Sequence, residues 1–107
     1  MNIPEKVKIG WREYEIVQGE HRTGADGGDL YGEISYENNK IYIYDKLDAD
    51  NKAVTLLHEI IHGIFYLTGR TDNRNDEGLI ECLSENLYQV IKENPKIFAP
   101  PEKGAEK

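Results

Sequence analysis

Residues 53–67 read AVTLLHEIIHGIFYL, a predominantly apolar stretch with a His-Glu-x-x-His pattern at its centre. Asp48 before the stretch can cap a helix N-terminus through its carboxylate, and Gly69 after it suits the left-handed position that follows a helix. The sequence therefore predicts a helix over residues 49–68. Helical spacing predicts an apolar stripe on one side and a mostly polar face on the other. The predicted stripe comprises Val54, Leu57, Ile61, Ile64 and Phe65, and the other face comprises Thr55, His58, Glu59, His62 and Tyr66.

A second helix is predicted over residues 77–93, because Asn75 or Asp76 can cap its start and Pro95 prevents its continuation. The first half of the chain instead alternates apolar and polar residues in short runs. These runs predict two hairpins, with strands near residues 6–9 and 14–17, then 30–36 and 41–45. The fold class expected is α+β: a small antiparallel or mixed sheet of three or four strands, followed by two packed helices.

The glycine-rich residues 19–29 between the hairpins are expected to form a plain connector rather than a functional flap. We expect one domain over residues 1–96, since 107 residues leave room for one core, and a flexible tail over residues 97–107.

The composition of the chain argues against several classes of partner and location. The formal net charge is −7 and no Lys/Arg cluster stands out, so nucleic acid is not an expected partner. No apolar run is long enough to span a bilayer. The first residues lack the pattern of a secretory signal, and the single cysteine, Cys82, cannot form an intramolecular disulfide. A cytoplasmic protein without a membrane partner is expected.

The pattern His58-Glu59-Ile60-Ile61-His62 is the part of the sequence that indicates a catalytic metal site. Spacing of i and i+4 places two imidazoles on one helix face, one turn apart, which suits chelation of a zinc ion. Glu59 is then expected beside the metal as a general base. A surface turn in which these three residues share no function is the alternative, but two of the three histidines of the chain fall within this one turn.

A catalytic zinc usually has three protein ligands and an open fourth position. The second predicted helix offers the third, and Glu81 is favoured because it borders the apolar stripe of that helix. Glu77 and Glu85, one turn to either side, remain alternatives, and Cys82 is a weaker one. For stabilisation of an oxyanion, the candidates are His21, Tyr42, Tyr44 and Tyr88.

The His58 to His62 pattern, followed after eighteen intervening residues by Glu81, resembles the gluzincin arrangement of zinc metallopeptidases. Together with the preceding sheet, it resembles small phage and prophage proteins related to the ImmA/IrrE metallopeptidases. The resemblance implies that His58, His62 and Glu81 bind one zinc ion and that Glu59 is the base. It also implies an intracellular peptidase acting on a peptide or protein, in some relatives a repressor of a mobile element.

Two further readings differ from the peptidase. The domain could be a catalytically silent module of phage type that keeps zinc for stability, since a small core gains from a metal cross-link. It could also bind a regulator without cutting it. A peptidase is favoured, because a purely structural zinc site has no need of a glutamate beside the first histidine and more often uses cysteines.

Overall fold

The computed structural model describes residues 2–24 and 27–101, in which six strands are followed by three helices. The element bounds are β1 Lys6–Ile9, β2 Arg12–Gly19, β3 Arg22–Thr23, β4 Asp29–Leu30, β5 Gly32–Ser35, β6 Lys40–Tyr44, α1 Ala49–Leu67, α2 Thr71–Arg74 and α3 Glu77–Glu93. The fold is α+β, as the sequence predicts.

The main sheet is mixed and has the order β1-β2-β6-β5. β1 with β2 and β5 with β6 form the two predicted antiparallel hairpins. A parallel pairing of β2 with β6 joins the hairpins side by side. This arrangement leaves β5 at one edge of the sheet, beside α1.

The core lies between the sheet and α1. Alternation along β6 directs Ile41 and Ile43 to the buried face, where they pack with Leu56 of α1. Tyr42 and Tyr44 therefore point to the opposite face of the sheet. The second helix layer is α3, which packs against α1 through the fully buried Ile80 and Ser84. α1 is thus enclosed by the sheet on one side and by α3 on another.

The predicted helix ends agree with the structure. The Asp48 carboxylate accepts a hydrogen bond from the Asn51 backbone N–H at 2.8 Å, and Asp76 accepts one from Leu79 N–H at 3.1 Å. Gly69 has a φ of +73° after the last turn of α1, where glycine is favoured because it lacks a Cβ.

Three details differ from the sequence-based expectations. Ile64, expected on the buried stripe of α1, is 43% exposed, whereas Leu56 and Gly63 face the sheet. The reason is that α1 packs against both the sheet and α3, so its buried surface is broader than the single predicted stripe. The segment 70–75, whose polar composition is typical of a turn, contains the short helix α2. The connector 19–29 contains the small β3–β4 ladder, although its residues 25 and 26 lie outside the described part.

Within the described residues, no helix combines the length and apolar character needed to cross a membrane. The segment after α3 has no regular secondary structure as far as residue 101, and the rest of the predicted tail lies outside the described residues.

Candidate metal centre

His58 and His62 lie one turn apart on α1, and their Nε2 atoms approach the same carboxylate. Glu77 places Oε2 at 3.1 Å from Nε2 of His58 and Oε1 at 2.7 Å from Nε2 of His62. Ligand atoms of these three residues all lie within 4.8 Å of one another. The geometry brings two nitrogen donors and one oxygen donor to one point, so the cluster could hold a metal ion.

The position of Glu77 follows from the start of α3. Asp76 caps this helix, which fixes Glu77 as its first residue at the end of the short connection from α1. Farther along, Tyr88 and Lys92 both contact Asp50 near the start of α1. α1 and α3 are therefore antiparallel, and the beginning of α3 lies level with the histidines.

Glu81, favoured by the sequence as the third ligand, lies one turn farther along α3. It lines the same cavity as the histidines but does not belong to the three-residue cluster. Glu85 lines the cavity as well, and Cys82 is exposed outside it. Glu77, Glu81 and Glu85 lie on one face of α3 and all line the cavity. Which of them comes level with the histidines depends on the axial position of α3 against α1, which residue spacing does not encode. Glu77, an alternative third ligand in the sequence analysis, is the glutamate that the structure brings to the histidines.

Glu59 is the buried acidic residue of the site, with 6% of its surface exposed. It lines the cavity beside the two histidines, and no described residue forms a hydrogen bond with its carboxyl group. Burial raises the pKa of Glu59 to about 8, and the negative charges of Glu77 and Glu33 act in the same direction. A carboxyl group with such a pKa can hold or release a proton near neutrality.

Burial also lowers the pKa of His62 below its usual range. The Glu77 carboxylate opposes this shift, and the neighbouring His58 adds to it. The close contact between His62 and Glu77 therefore need not be an ion pair, because the imidazole favours its neutral form. Neutral imidazole is the form that binds zinc.

The cavity in front of the cluster has a volume of about 550 Å³. The edge strand β5 forms one wall, α1 forms the floor and the first half of α3 forms the opposite wall. The lining residues are Leu30, Tyr31, Gly32, Glu33, Ile34, Val54, Thr55, His58, Glu59, His62, Glu77, Glu81, Ser84 and Glu85. An open edge strand thus borders the candidate metal centre.

None of the four sequence-based candidates for oxyanion stabilisation is among the described residues that line this cavity. Tyr42 and Tyr44 lie on the far face of the sheet, and Tyr88 bonds to Asp50. Tyr31 is a lining residue, but it is 58% exposed and its ring stacks on Tyr44, so the ring lies beside the far face of the sheet rather than over the metal cluster. Its place beside the edge strand depends on the pairing of the sheet, so the sequence carried no signal for it.

Gly32 brings β5 directly against the site. A Cβ at this position would lie 2.4 Å from Cγ2 of Thr55 and 3.0 Å from Oε2 of Glu59. We expect Gly32→Ala to lower the free energy of unfolding by about 1–3 kcal/mol, because β5 or α1 must move to admit the methyl group. Urea denaturation measures the change. Gly19→Ala is the matched control, since nothing lies within 4 Å of a Cβ there, and equal effects of the two changes would contradict the close packing.

Burial of Glu59 predicts a pH dependence of the stability of the metal-free chain. Its pKa in the folded chain, about 8, lies above the ordinary value of 4.5, so protonation favours the folded state. This stabilisation is complete below pH 4.5 and is lost as the pH rises through 8. Glu59→Gln removes the ionisation. Its stability relative to wild type should rise between pH 5 and pH 8.5 by on the order of 3 kcal/mol.

Urea denaturation in the presence of a chelator at the two pH values measures this difference. Glu37→Gln, at an exposed position in the β5–β6 turn, should show the wild-type pH dependence. Parallel pH profiles for wild type and Glu59→Gln would show that Glu59 is not the group that titrates.

Comparison with known proteins yields no match to a family model, to a curated protein or to a solved structure.

Proposed function

We propose that this chain is a zinc-dependent metallopeptidase that hydrolyses peptide bonds with Glu59 as the general base. The observation that carries the proposal is the convergence of His58, His62 and Glu77 beside a buried, unbonded carboxyl group in an open cavity. A metal-binding cluster alone would not need that carboxyl group. The resemblance of the His-Glu-x-x-His pattern to zinc metallopeptidases supports the same conclusion.

The donor set fits zinc better than magnesium or calcium. Two imidazole nitrogens and one carboxylate oxygen are typical ligands of catalytic zinc, whereas the hard cations prefer oxygen donors throughout. If His58, His62 and Glu77 held the ion, three protein ligands would leave one position of a four-coordinate zinc for water or substrate. When bound, zinc would supply Lewis acidity, which activates a water molecule and polarises the carbonyl group of the substrate.

Residues of the chain itself carry out proton transfer and orient the proposed metal ligands. Glu59 takes the proton from the attacking water and later delivers it to the leaving amine, which its raised pKa suits. Tyr36 steadies the last turns of α1, where it donates a hydrogen bond to the His62 carbonyl and stacks on Tyr66. These contacts support the orientation of His62.

A peptide substrate can be held by β5. Its outer edge pairs with no other strand of the main sheet, and Gly32, Glu33 and Ile34 line the cavity. An extended peptide that adds to this edge would bring its backbone alongside the metal cluster and Glu59. The substrate is therefore proposed to be a peptide or an extended segment of a protein, such as a repressor of a mobile element. The expected location remains the cytoplasm.

The second candidate function is a silent module that uses zinc for stability or for binding a regulator. It is favoured by the position of the cluster, which ties the start of α3 to α1 and could cross-link a small core. In that case His62→Ala should unfold the domain while Glu59→Gln changes nothing that can be measured in the zinc-loaded protein.

Cleavage of a mixed peptide pool, read by mass spectrometry, tests the proposal directly. The zinc-loaded chain should release new peptide ends, a chelator should stop the reaction, and added zinc should restore it. The Glu59→Gln variant purified in parallel controls for contaminating peptidases. Failure of the zinc-loaded wild type to cleave any peptide of the pool would favour the silent module.

A further inference from the structure

The charge of the cavity bears on what it binds. Among the residues that the structure describes, five glutamates line it and no lysine or arginine does. Glu77 belongs to the metal cluster, Glu59 is the proposed base, and Glu33 pairs with Arg22 at 2.5 Å. Glu81 and Glu85 remain, and neither has a cationic side chain within 4.0 Å among the described residues.

The two glutamates lie at a defined distance from the metal cluster. Residues 77, 81 and 85 follow each other at i+4 spacing on one face of α3, so successive side chains are about 6 Å apart along the helix. The stripe runs from the histidines toward the part of the cavity that contains Val54, since α1 and α3 are antiparallel. One or two residues of an extended peptide span this distance.

The opposite walls of this part of the cavity are apolar. Leu30 precedes β5, and Val54 lies one turn before His58 on α1. A lysine or arginine side chain has an apolar stem and a charged head, so it can lie along Leu30 and Val54 and end at the carboxylates. A purely apolar side chain would leave Glu81 and Glu85 beside it without compensation.

A second observation indicates that a ligand enters the cavity. Glu59 as a residue is 6% exposed and lines the cavity, and its carboxyl group has no hydrogen-bond partner among the described residues. No side-chain oxygen in that part of the chain is both fully buried and unpaired, so the carboxyl oxygens open onto the cavity. Polar groups in a largely buried residue are normally paired, so a group that enters the cavity with the metal or the substrate can supply the partner of this carboxyl group. The glutamates on α3 therefore border a cavity whose floor presents a further carboxyl group to an entering ligand.

We propose that the cavity selects peptides with a lysine or arginine beside the scissile bond, recognised by Glu81 and Glu85; this specificity rests on the proposed peptidase function. β5 runs along α1 with Gly32 at Thr55 and Ile34 at Gly63. A peptide that pairs antiparallel to β5 runs from the Ile34 end toward Leu30. The basic residue therefore follows the scissile bond, on the leaving side.

Binding of matched peptides tests the specificity without requiring cleavage. The zinc-loaded Glu59→Gln protein is titrated with short peptides that differ at one central position, which carries lysine, its uncharged isostere norleucine, or glutamate. Amide chemical shifts in NMR spectra report the dissociation constant. We expect the lysine peptide to bind about tenfold more tightly than the norleucine peptide, since two partly exposed charge pairs contribute modestly.

The Glu81→Gln/Glu85→Gln double variant, made in the same background, should reduce this preference to about twofold or less. A control with Glu20→Gln and Glu37→Gln removes the same two charges from exposed positions outside the cavity and should retain the preference. Persistence of the lysine preference in the first double variant, or an absence of lysine preference in its parent, would overturn the inference. Binding by none of the peptides would overturn it too.

Cleavage by the zinc-loaded wild type separates this inference from the proposed function. Lysine-selective binding that depends on Glu81 and Glu85, with no cleavage of any peptide, would support the subsite and refute the peptidase. Cleavage with no preference for a basic residue would refute the subsite and leave the peptidase standing.

Discussion

Glu59→Gln is expected to lower the rate of peptide hydrolysis by about 10²–10⁴-fold while the zinc content stays near one ion per chain. The amide keeps the size of the carboxyl group but cannot take the proton from water. Glu59 contributes no atom to the cluster of His58, His62 and Glu77, so its replacement leaves those ligands in place. Initial rates on a cleaved peptide, with zinc measured by elemental mass spectrometry on the same samples, give both quantities.

Glu37→Gln serves as the matched control, since it makes the same chemical change in an exposed turn. It should keep both the rate and the zinc. A Glu59→Gln protein that retains zinc and cleaves at the wild-type rate would remove Glu59 from the mechanism. Loss of zinc from this variant would instead show that Glu59 supports the metal centre, and the rate could no longer be assigned to proton transfer.

Glu77→Gln is expected to weaken zinc binding by on the order of 100-fold, since even residues that only orient metal ligands commonly contribute 10–100-fold. Glu81→Gln, one turn along the same helix face, should change the affinity by less than about threefold, because its charge acts only from a distance. Competition with a chromophoric chelator measures both affinities. His62→Ala should lose the metal altogether under the same conditions.

The comparison also decides between the ligand favoured by the sequence and the one in the structural cluster. A large loss in Glu81→Gln with little change in Glu77→Gln would mean that zinc selects Glu81, as the sequence predicts. α3 would then have to shift along α1 or the Glu81 side chain would have to reach across the cavity. Glu85→Gln provides a second control on the same face of α3.

Part of this molecule could be predicted from local rules. The alternating runs in the first 45 residues predicted both hairpins, and the Asp48, Gly69 and Asp76 signals placed the helix ends where the structure has them. Spacing alone placed His58 and His62 on one face of α1, because a helix repeats every 3.6 residues whatever surrounds it. These features depend on residues a few positions apart.

Other features depended on contacts between distant segments. The parallel pairing of β2 with β6 joins residues separated by the whole connector, and it leaves β5 as the edge strand. No local pattern encodes which strand of a hairpin remains unpaired. The position of Tyr31 at the cavity, and of Tyr42 and Tyr44 away from it, follows from that pairing.

The sequence by itself determined the α+β class, the ends of the two long helices and the pairing of His58 with His62 on one face. Only the tertiary structure decided that Glu77 rather than Glu81 meets the histidines, that Glu59 is buried against Gly32 and that β5 borders the cavity. The physical reason is the range of the interactions. Capping and helical spacing act within a turn, whereas the axial position of α3 against α1 is set by packing at Ile80 and Ser84 and by contacts at Asp50.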